Sequence, residues 1–339
     1  MSICIIDPAS HMPGLKYLFP ETEYFSREPD GVFTYLSTHH YTKQQLYQEY
    51  GFEYRTDWNA ITDKHYDIVF LVLPLMDYFN VVTTPMTPHI NRMLAMLTSI
   101  FSTNTFKKVV LFDIYDYDYD PNDVNKSLPI DIYMKRNYNS TKQYKPNVYP
   151  FPCSMFVKPC VLSTMLHRQF ISPENKLNEP MWAGALYNHT DMNFDPPIVR
   201  NRKAIFEKIQ HRLKVYDGLS HSQYIDTMRR HKIVVDLLGV GEPNKRTFEA
   251  LSNGVLLLTM VKDLNWGFEK GDAFHPDTLF STAEEFETKL NRLLSDEAHY
   301  NDCLAIQNSI VAKYFSKEWM RNRLLQVIGL NQTDTRDVV

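Results

Sequence analysis

Four runs of this sequence are apolar at nearly every position: "YDIVFLVLP" (66–74), "KKVVLFDI" (107–114), "KIVVDLL" (232–238) and "VLLLT" (255–259). A strand with one face in water alternates apolar and polar residues, whereas a strand covered on both faces reads as a continuous apolar run. Such strands need helices on either side. The intervening segments supply them: "PHINRMLAMLTSIF" (88–101) and "HSQYIDTMRRH" (221–231) carry apolar residues at helical spacing. Strands alternating with helices in this way predict an α/β chain built on parallel sheets.

The rhythm starts with "SICII" (2–6), fails between residues 116 and 152, and restarts at "EPMWAGALYNH" (179–189). The aperiodic stretch is rich in Tyr, Asp, Asn and Pro and reads as a long loop and crossover. After the restart come a helix over about 198–213, a short strand "LKVYDG", the helix and strand already quoted, and "STAEEFETKLNRLLSD" (281–296). In that last segment Ser281 and Glu284 have capping-box spacing, and Phe286, Leu290, Leu293 and Leu294 share one helical face. Terminal helices follow from about residue 297 to 328. The expected organisation is an N-terminal domain over 1–177, a C-terminal domain over 178–315, and a terminal helix over 316–330 that packs back on the first domain. A chain of 339 residues, 44% hydrophobic and 22% charged, is long enough for two cores.

Charge and cysteine content exclude several function classes. A net charge of -4 provides no global cationic field, so a nucleic-acid partner held through its phosphates is not expected. The four cysteines show no C-x-x-C and no paired Cys/His spacing, which predicts neither a disulfide framework nor a zinc site. Reduced thiols point to a cytosol-like compartment. The N-terminus lacks a basic segment before its short apolar run, and "IVFLVLPLM" (68–76) falls far short of the ~20 residues that span a bilayer. A cytoplasmic protein without a transmembrane segment is expected.

The stretch "NKRTFEALSNGVLLLT" (244–259) crowds charge against a buried strand. Asn244 has the chemistry of an N-cap, "KRTFEALS" makes a two-turn helix, and Gly254 stands where a helix end needs a left-handed residue. Lys245 and Arg246 then lie in the first turn, where cations oppose the helix dipole. A bound phosphate would reverse that sign, because backbone N–H groups, dipole and both cations would point at it. Glu249, one turn further along, suits a neighbouring hydroxyl-bearing group such as a ribose. The alternative is an i,i+3 surface pair between Arg246 and Glu249. Open α/β sheets bind ligands at the carboxyl edge, where this helix begins.

"KRTFEALSNGVLLLT" resembles the donor-binding signature of GT-B glycosyltransferases, in which a basic residue, then an acidic one followed five residues later by Gly, precedes a hydrophobic strand. "MWAGALYNH…VRNRKAIFEKI", "QYIDTMRRHKIVVDL" and "DIYMKRNY…VYPFP" are similar to further segments of the glycosyltransferase-family-1-like members. The resemblance runs from about residue 131 to 315 and is strongest over 232–259. It implies two Rossmann-like domains facing a cleft, with a nucleotide-sugar donor on the second and a glycan or glycoconjugate acceptor on the first. It implies a hexosyl- or pentosyltransferase. Carried over by position, Lys245 and Arg246 contact the diphosphate with Thr247 beside them, Glu249 the ribose, Gly184 allows close approach of the chain, and Arg202 is a further donor-binding candidate. Retaining members often carry two glutamates eight positions apart; here Glu242 and Glu249 are seven apart, so the anomeric outcome is open.

Two other constellations carry chemistry. The loop "DPASHMPG" (7–14) follows the first strand, and its Asp7 and His11 are the expected catalytic acid/base pair. "DIYDYDYDPND" (113–123) offers five aspartates. It reads as a solvated acidic loop, an acceptor-contacting loop, or the metal site of a GT-A glycosyltransferase. The GT-B reading needs no metal and no cofactor beyond the donor. A non-catalytic nucleotide-sugar or carbohydrate-binding protein is the competing class.

Overall fold

The computed structural model describes residues 2–8, 10–26, 44, 47–48, 51–73, 75, 79, 87–114, 119–151, 175–183, 197–237, 245–261 and 263–330, with side chains left aside at 87–89, 197–200 and 245. The chain forms two compact units: Met1–Cys160 with Asn265–Gly267 and Lys317–Val339, and Val161–Leu264 with Phe268–Ser316. The expected limits at 177/178 and 315/316 compare with 160/161 and 316/317 in this division. Leu177 bonds on both sides to the second unit: its N–H donates to the Arg230 carbonyl at 2.6 Å, and its carbonyl accepts from Lys232 N–H at 3.1 Å.

The first unit carries β1 (Ile3–Ile6), α1 (Gly14–Leu18), β2 (Glu23–Phe25), α2 (Asn59–Asp63), β3 (Ile68–Leu73), α3 (Thr87–Thr103), β4 (Lys108–Asp113), α4 (Pro121–Val124), β5 (Ile132–Lys135) and β6 (Val148–Pro150). Its sheet runs in the order β2-β1-β3-β4-β5-β6, with every pairing parallel. The continuous apolar runs are the central strands. All six residues of β3 are buried, and Val69, Leu71 and Leu73 pack in one cluster with Met93, Leu97 and Ile100 of α3. Burying each such side chain contributes about 1.5–3 kcal/mol. The stretch read as a long loop instead holds α4, β5 and β6. These elements have three or four residues each, too few to show a period, yet all of β5 is buried.

The second unit carries β7 (Met181–Ala183), α5 (Pro197–Ile209), β8 (Lys214–Tyr216), α6 (His221–Arg229), β9 (Ile233–Asp236), α7 (Lys245–Ser252), β10 (Leu256–Thr259), α8 (Ala283–Ser295) and α9 (Glu297–Tyr314). Its sheet is β10-β9-β7-β8, again all parallel. Two all-parallel α/β units agree with the pair of Rossmann-like domains that the GT-B resemblance implies. Phe286, Leu290 and Leu293 of α8 are buried against the sheet and Leu294 packs partly, as the sequence predicts. The cap of α8 is displaced by one residue. Thr282 Oγ1, not Ser281, accepts from the N–H of Glu285 at 3.1 Å, and the Glu285 carboxylate returns to the Ser281 N–H at 2.6 Å. The edge of β10 is closed by a side chain: the Gln307 amide accepts from Leu257 N–H and donates to the Val255 carbonyl, both at 2.9 Å. Two backbone groups that an edge strand leaves open are thereby paired.

A last helix, α10 (Lys317–Val327), belongs to the first unit. Its Arg321 grips Glu21 with both terminal nitrogens, at 2.6 and 3.2 Å, and donates to the Leu18 carbonyl at 2.8 Å.

His231, fully buried ahead of β9, bonds the Glu179 carbonyl through Nδ1 at 2.8 Å and the Tyr216 hydroxyl through Nε2 at 3.0 Å. Burial pushes its pKa below 6.5, although the Glu179 carbonyl opposes the shift. The unfolded chain therefore takes up this proton first as pH falls, so stability is intact above pH 6.5 and declines below it, down to the folded value. A His231→Gln protein is expected to lose part of that acid sensitivity when denaturant midpoints are compared on either side of pH 6.5.

Candidate functional site

In both sheets the strand order reverses once, and ligands of open α/β sheets bind where the loops on either side of that reversal part. In the second unit the reversal lies between β7 and β9. Met181 pairs with Val234 there, which places Trp182 and Asp236 one and two positions further toward the carboxyl edge. The residues that follow β9 lead into α7. This helix buries Thr247, Phe248, Ala250 and Leu251 and ends on Gly254, whose φ of 62° is the left-handed conformation expected of it.

Asp236, fully buried, ties the first turn of α7 to the strand: Oδ2 accepts from Thr247 Oγ1 at 2.6 Å, and Oδ1 lies 3.5 Å from Arg246 Nη1. The Arg246 side chain is only 19% exposed, and its guanidinium lies 5.4 Å from the centre of the Trp182 ring. Glu249 is 7% exposed at its side chain and accepts from Nε2 of the half-exposed His221 at 2.7 Å. Neither Arg246 nor Glu249 is a surface residue, so a bland surface ion pair does not describe them. His221 and Tyr224 sit in the first turn of α6, which Ser220 and Gln223 close with a reciprocal capping box.

Two buried donors face no acceptor. The Tyr224 hydroxyl proton and Trp182 Nε1 find no acceptor among the described residues, while Arg246 lies beside the Tyr224 oxygen. Leaving such groups unpaired costs about 1–3 kcal/mol each, an expense that calls for an explanation such as a ligand. Burial, joined by the Glu249 and Asp236 carboxylates, pushes the Tyr224 phenol far above the ordinary tyrosine range, while Arg246 opposes the shift. The phenol is thus a permanent neutral donor. A fixed guanidinium, two idle donors and a buried carboxylate together suit a ligand that is anionic at one end and hydroxylated at the other.

Sequence reasoning singled out Arg246, Thr247 and Glu249, and these three share α7. Thr247 is fully buried and holds Asp236, which makes it a positioning residue. Arg202 lies half-buried on α5. Gly184, Glu242 and the Lys245 side chain lie outside the described residues. Asp236, Trp182, Tyr224 and His221 were not singled out; the signal for Asp236 was a carboxylate at the end of an otherwise apolar run.

In the first unit the reversal lies between β1 and β3, and the loop after β1 contains Asp7 and His11. Asp7 is fully buried, and its carboxylate accepts from the His11 N–H at 2.9 Å, the Met12 N–H at 2.6 Å and the Tyr24 hydroxyl at 2.5 Å. This is a loop fixture. Next to it Ser10 adopts a φ of 52°, a strained conformation for a residue with a Cβ, and its hydroxyl meets that of Ser26 at 2.7 Å inside the core. His11 is half-buried.

Among the acidic-loop residues, Asp113 is buried against Lys135 at 3.1 Å, and the Lys135 ammonium lies 3.9 Å from the Tyr119 ring centre. Asp120 caps α4 through the Asn122 N–H at 2.9 Å, and Asp123 pairs with Lys145 at 2.9 Å. All three are engaged by protein groups. Asp116 and Asp118 lie outside the described residues.

Residues 184–325 match a family model described as "Glycosyl transferase-like". Over these residues the chain is similar to that family. The matched region contains α6, β9, α7 and β10, and with them the buried Arg246–Asp236 pair, Tyr224 and Glu249. The match, joined to two all-parallel α/β units, supports recognition as a GT-B glycosyltransferase. Among solved structures the chain is similar to an alpha-glucosyltransferase in complex with UDP-glucose and DNA containing an abasic site, at 12% identity and a TM-score of 0.49, covering 97% of this chain and 99% of that one. It is also similar to Anabaena Alr3699/HepE in complex with UDP, at 11% identity and a TM-score of 0.49, with 97% and 99% covered. A third is a putative UDP-N-acetylglucosamine 2-epimerase from Listeria monocytogenes, at 11% identity and a TM-score of 0.44, with 96% and 95% covered. At these values no residue role or substrate passes from them to this chain. No curated protein matches the sequence. Among the described residues no helix is long and apolar enough to cross a membrane.

Proposed function

We propose that this chain is a glycosyltransferase that moves a sugar from a nucleotide diphosphate sugar to a hydroxyl of a glycan or glycoconjugate. The observation that carries the reading is the half-buried Arg246, within the region similar to glycosyl transferases, beside two idle donors at the strand reversal of the second sheet. Arg246 and the N-terminus of α7 receive the diphosphate, Trp182 Nε1 and the Tyr224 hydroxyl supply neutral donors, and Glu249 accepts from ribose hydroxyls. His221, donating to Glu249 Oε1 at 2.7 Å, keeps that carboxylate oriented.

In the reaction the acceptor oxygen bonds to the anomeric carbon and the bond from that carbon to the diphosphate breaks. The acceptor's proton passes to a general base, for which His11 is proposed, with Asp7 fixing the loop that carries it. The electron pair leaves with the diphosphate, stabilised by Arg246 and the helix dipole. No metal is assigned to this step, so turnover is expected to continue without added Mn²⁺ or Mg²⁺.

A thermal-shift panel of UDP, GDP, CDP and dTDP, with and without their sugars, tests the reading, because a ligand bound only by the native state raises apparent stability. One nucleotide is expected to stabilise the protein. Glu249→Gln should weaken its binding by about 1.5–3 kcal/mol. Tyr224→Phe discriminates further: it removes a buried hydroxyl whose proton has no acceptor, so the free protein should be about as stable as wild type, while nucleotide affinity drops by about 0.5–1.5 kcal/mol. A Tyr224→Phe protein that is destabilised yet binds nucleotide normally would assign the phenol to the fold alone. Binding without transfer or donor hydrolysis would favour a non-catalytic binding protein.

A further inference from the structure

We propose that His275, His299 and Cys303, with Asp277 beside them, form a structural zinc site in the second unit, sharing no residue with the nucleotide site. Sequence spacing predicts no such site, since two of the side chains come from a turn and two from a helix. His275 caps the 3-10 turn Pro276–Thr278, which contains Asp277. His299 and Cys303 are four residues apart on α9 and therefore lie one above the other on one face. The turn is set down against that face: the His275 and His299 rings meet edge-to-face with centroids 5.2 Å apart, and His299 Nε2 lies 2.9 Å from Asp277 Oδ2.

The donor set and its spacing are those of a metal site. One ligand atom from each of His275, His299 and Cys303 lies within 4.8 Å of the others. Tetrahedral zinc, with Zn–N of about 2.0–2.1 Å and Zn–S of about 2.3 Å, places nitrogen and sulfur roughly 3.5 Å apart. His299 Nε2 and Cys303 Sγ are separated by 3.7 Å. Two imidazoles and a thiolate suit a borderline cation, and select zinc over magnesium or calcium. The pocket is also sheltered: Cys303 is fully buried and the His299 side chain is 10% exposed.

Binding has identifiable consequences. The Cys303 thiol gives its proton to solvent as the zinc–sulfur bond forms, with no change of oxidation state. The hydrogen bond from the Asp277 N–H to His275 Nδ1, 3.1 Å, is exchanged, and Arg292, 2.8 Å from Asp277 Oδ2, shares that oxygen or moves aside. The ion joins the turn to α9, and through α9 to the Gln307 amide that closes β10.

The test uses the full chain, stripped with a chelator and then titrated with Zn²⁺ or Co²⁺. One equivalent of Co²⁺ should give a tetrahedral d–d spectrum and a thiolate-to-cobalt absorption, and Zn²⁺ should displace it and raise the thermal midpoint. Cys303→Ser should lose the thiolate band, and His275→Gln, altered at a half-buried position, should lose stoichiometric binding with the fold retained. A wild-type protein with no thiolate band and no response to Zn²⁺ would overturn the proposal. So would a Cys303→Ser protein in which the band persists, because another cysteine would then be the ligand.

Discussion

Arg246→Ala is expected to lower the free energy of unfolding by about 3 kcal/mol and to remove the stabilisation by nucleotide in the same protein. The stability loss follows from what stays behind. Asp236 is fully buried at the end of β9, and without Arg246 it loses a cation 3.5 Å away while the Thr247 hydroxyl still donates to it. Removing one partner of a buried ion pair typically costs about 3–5 kcal/mol, mainly through the uncompensated charge. The lower end applies here, since the pair is 3.5 Å apart and Arg246 is partly exposed. Arg246→Ala combined with Asp236→Asn deletes that stranded charge, so most of the stability should return. The nucleotide response should not, because the phosphate contact is absent from both proteins. Urea unfolding with and without the nucleoside diphosphate reads both quantities. A double variant that regained the nucleotide response would place the phosphate contact elsewhere, and a single variant as stable as wild type would mean the pair does not hold β9 to α7.

His11→Ala is expected to reduce kcat by roughly 10² to 10⁴-fold with donor affinity unchanged. Transfer to a hydroxyl needs a group that takes the acceptor's proton, and His11 lies in the loop that follows β1 at the strand reversal of its sheet. Histidine is the side-chain type best suited to proton exchange near neutrality. Asp7 is a poorer base, since three donors already hold its carboxylate. The two substitutions should therefore behave differently. His11→Ala leaves the loop anchored and lowers turnover alone. Asp7→Ala releases the His11 and Met12 amides and the Tyr24 hydroxyl together and lowers thermal stability as well. A His11→Ala enzyme with wild-type turnover, or a product that retains the donor's anomeric configuration by NMR, would remove His11 as the base.

The parts of this fold that the sequence announces are those whose burial is uniform. β3, β4, β9 and β10 are apolar along nearly all their length because both faces are covered, and α8 is legible because one stripe of it is. β5 and β6 escaped notice because strands of three or four residues contain no complete period. The site divides in the same way. Arg246 and Glu249 stand out as charges beside a buried strand, and Gly254 as the break after them. Asp236, Trp182 and Tyr224 act through partners contributed by other elements, and no local pattern encodes such a meeting. The same holds for the turn of His275 and Asp277 against the helix of His299 and Cys303.

The return of α10 to the first unit bears on the order in which the protein is made. Arg321 and Glu21 are 300 residues apart in sequence, and the whole second unit is synthesised between them. Domains often fold as they leave the ribosome, in sequence from the N-terminus. Here the earlier half must wait with α1 uncovered until residue 317 and beyond have emerged. Closing so long a loop adds only slowly to the equilibrium cost but weighs on the rate. In refolding, the segment Gly14–Leu18 is therefore expected to gain hydrogen-exchange protection late, after the sheets. A chain cut at residue 316 would leave that helix permanently uncovered, so the first unit is not a fragment that can be obtained by shortening the gene from its 3′ end.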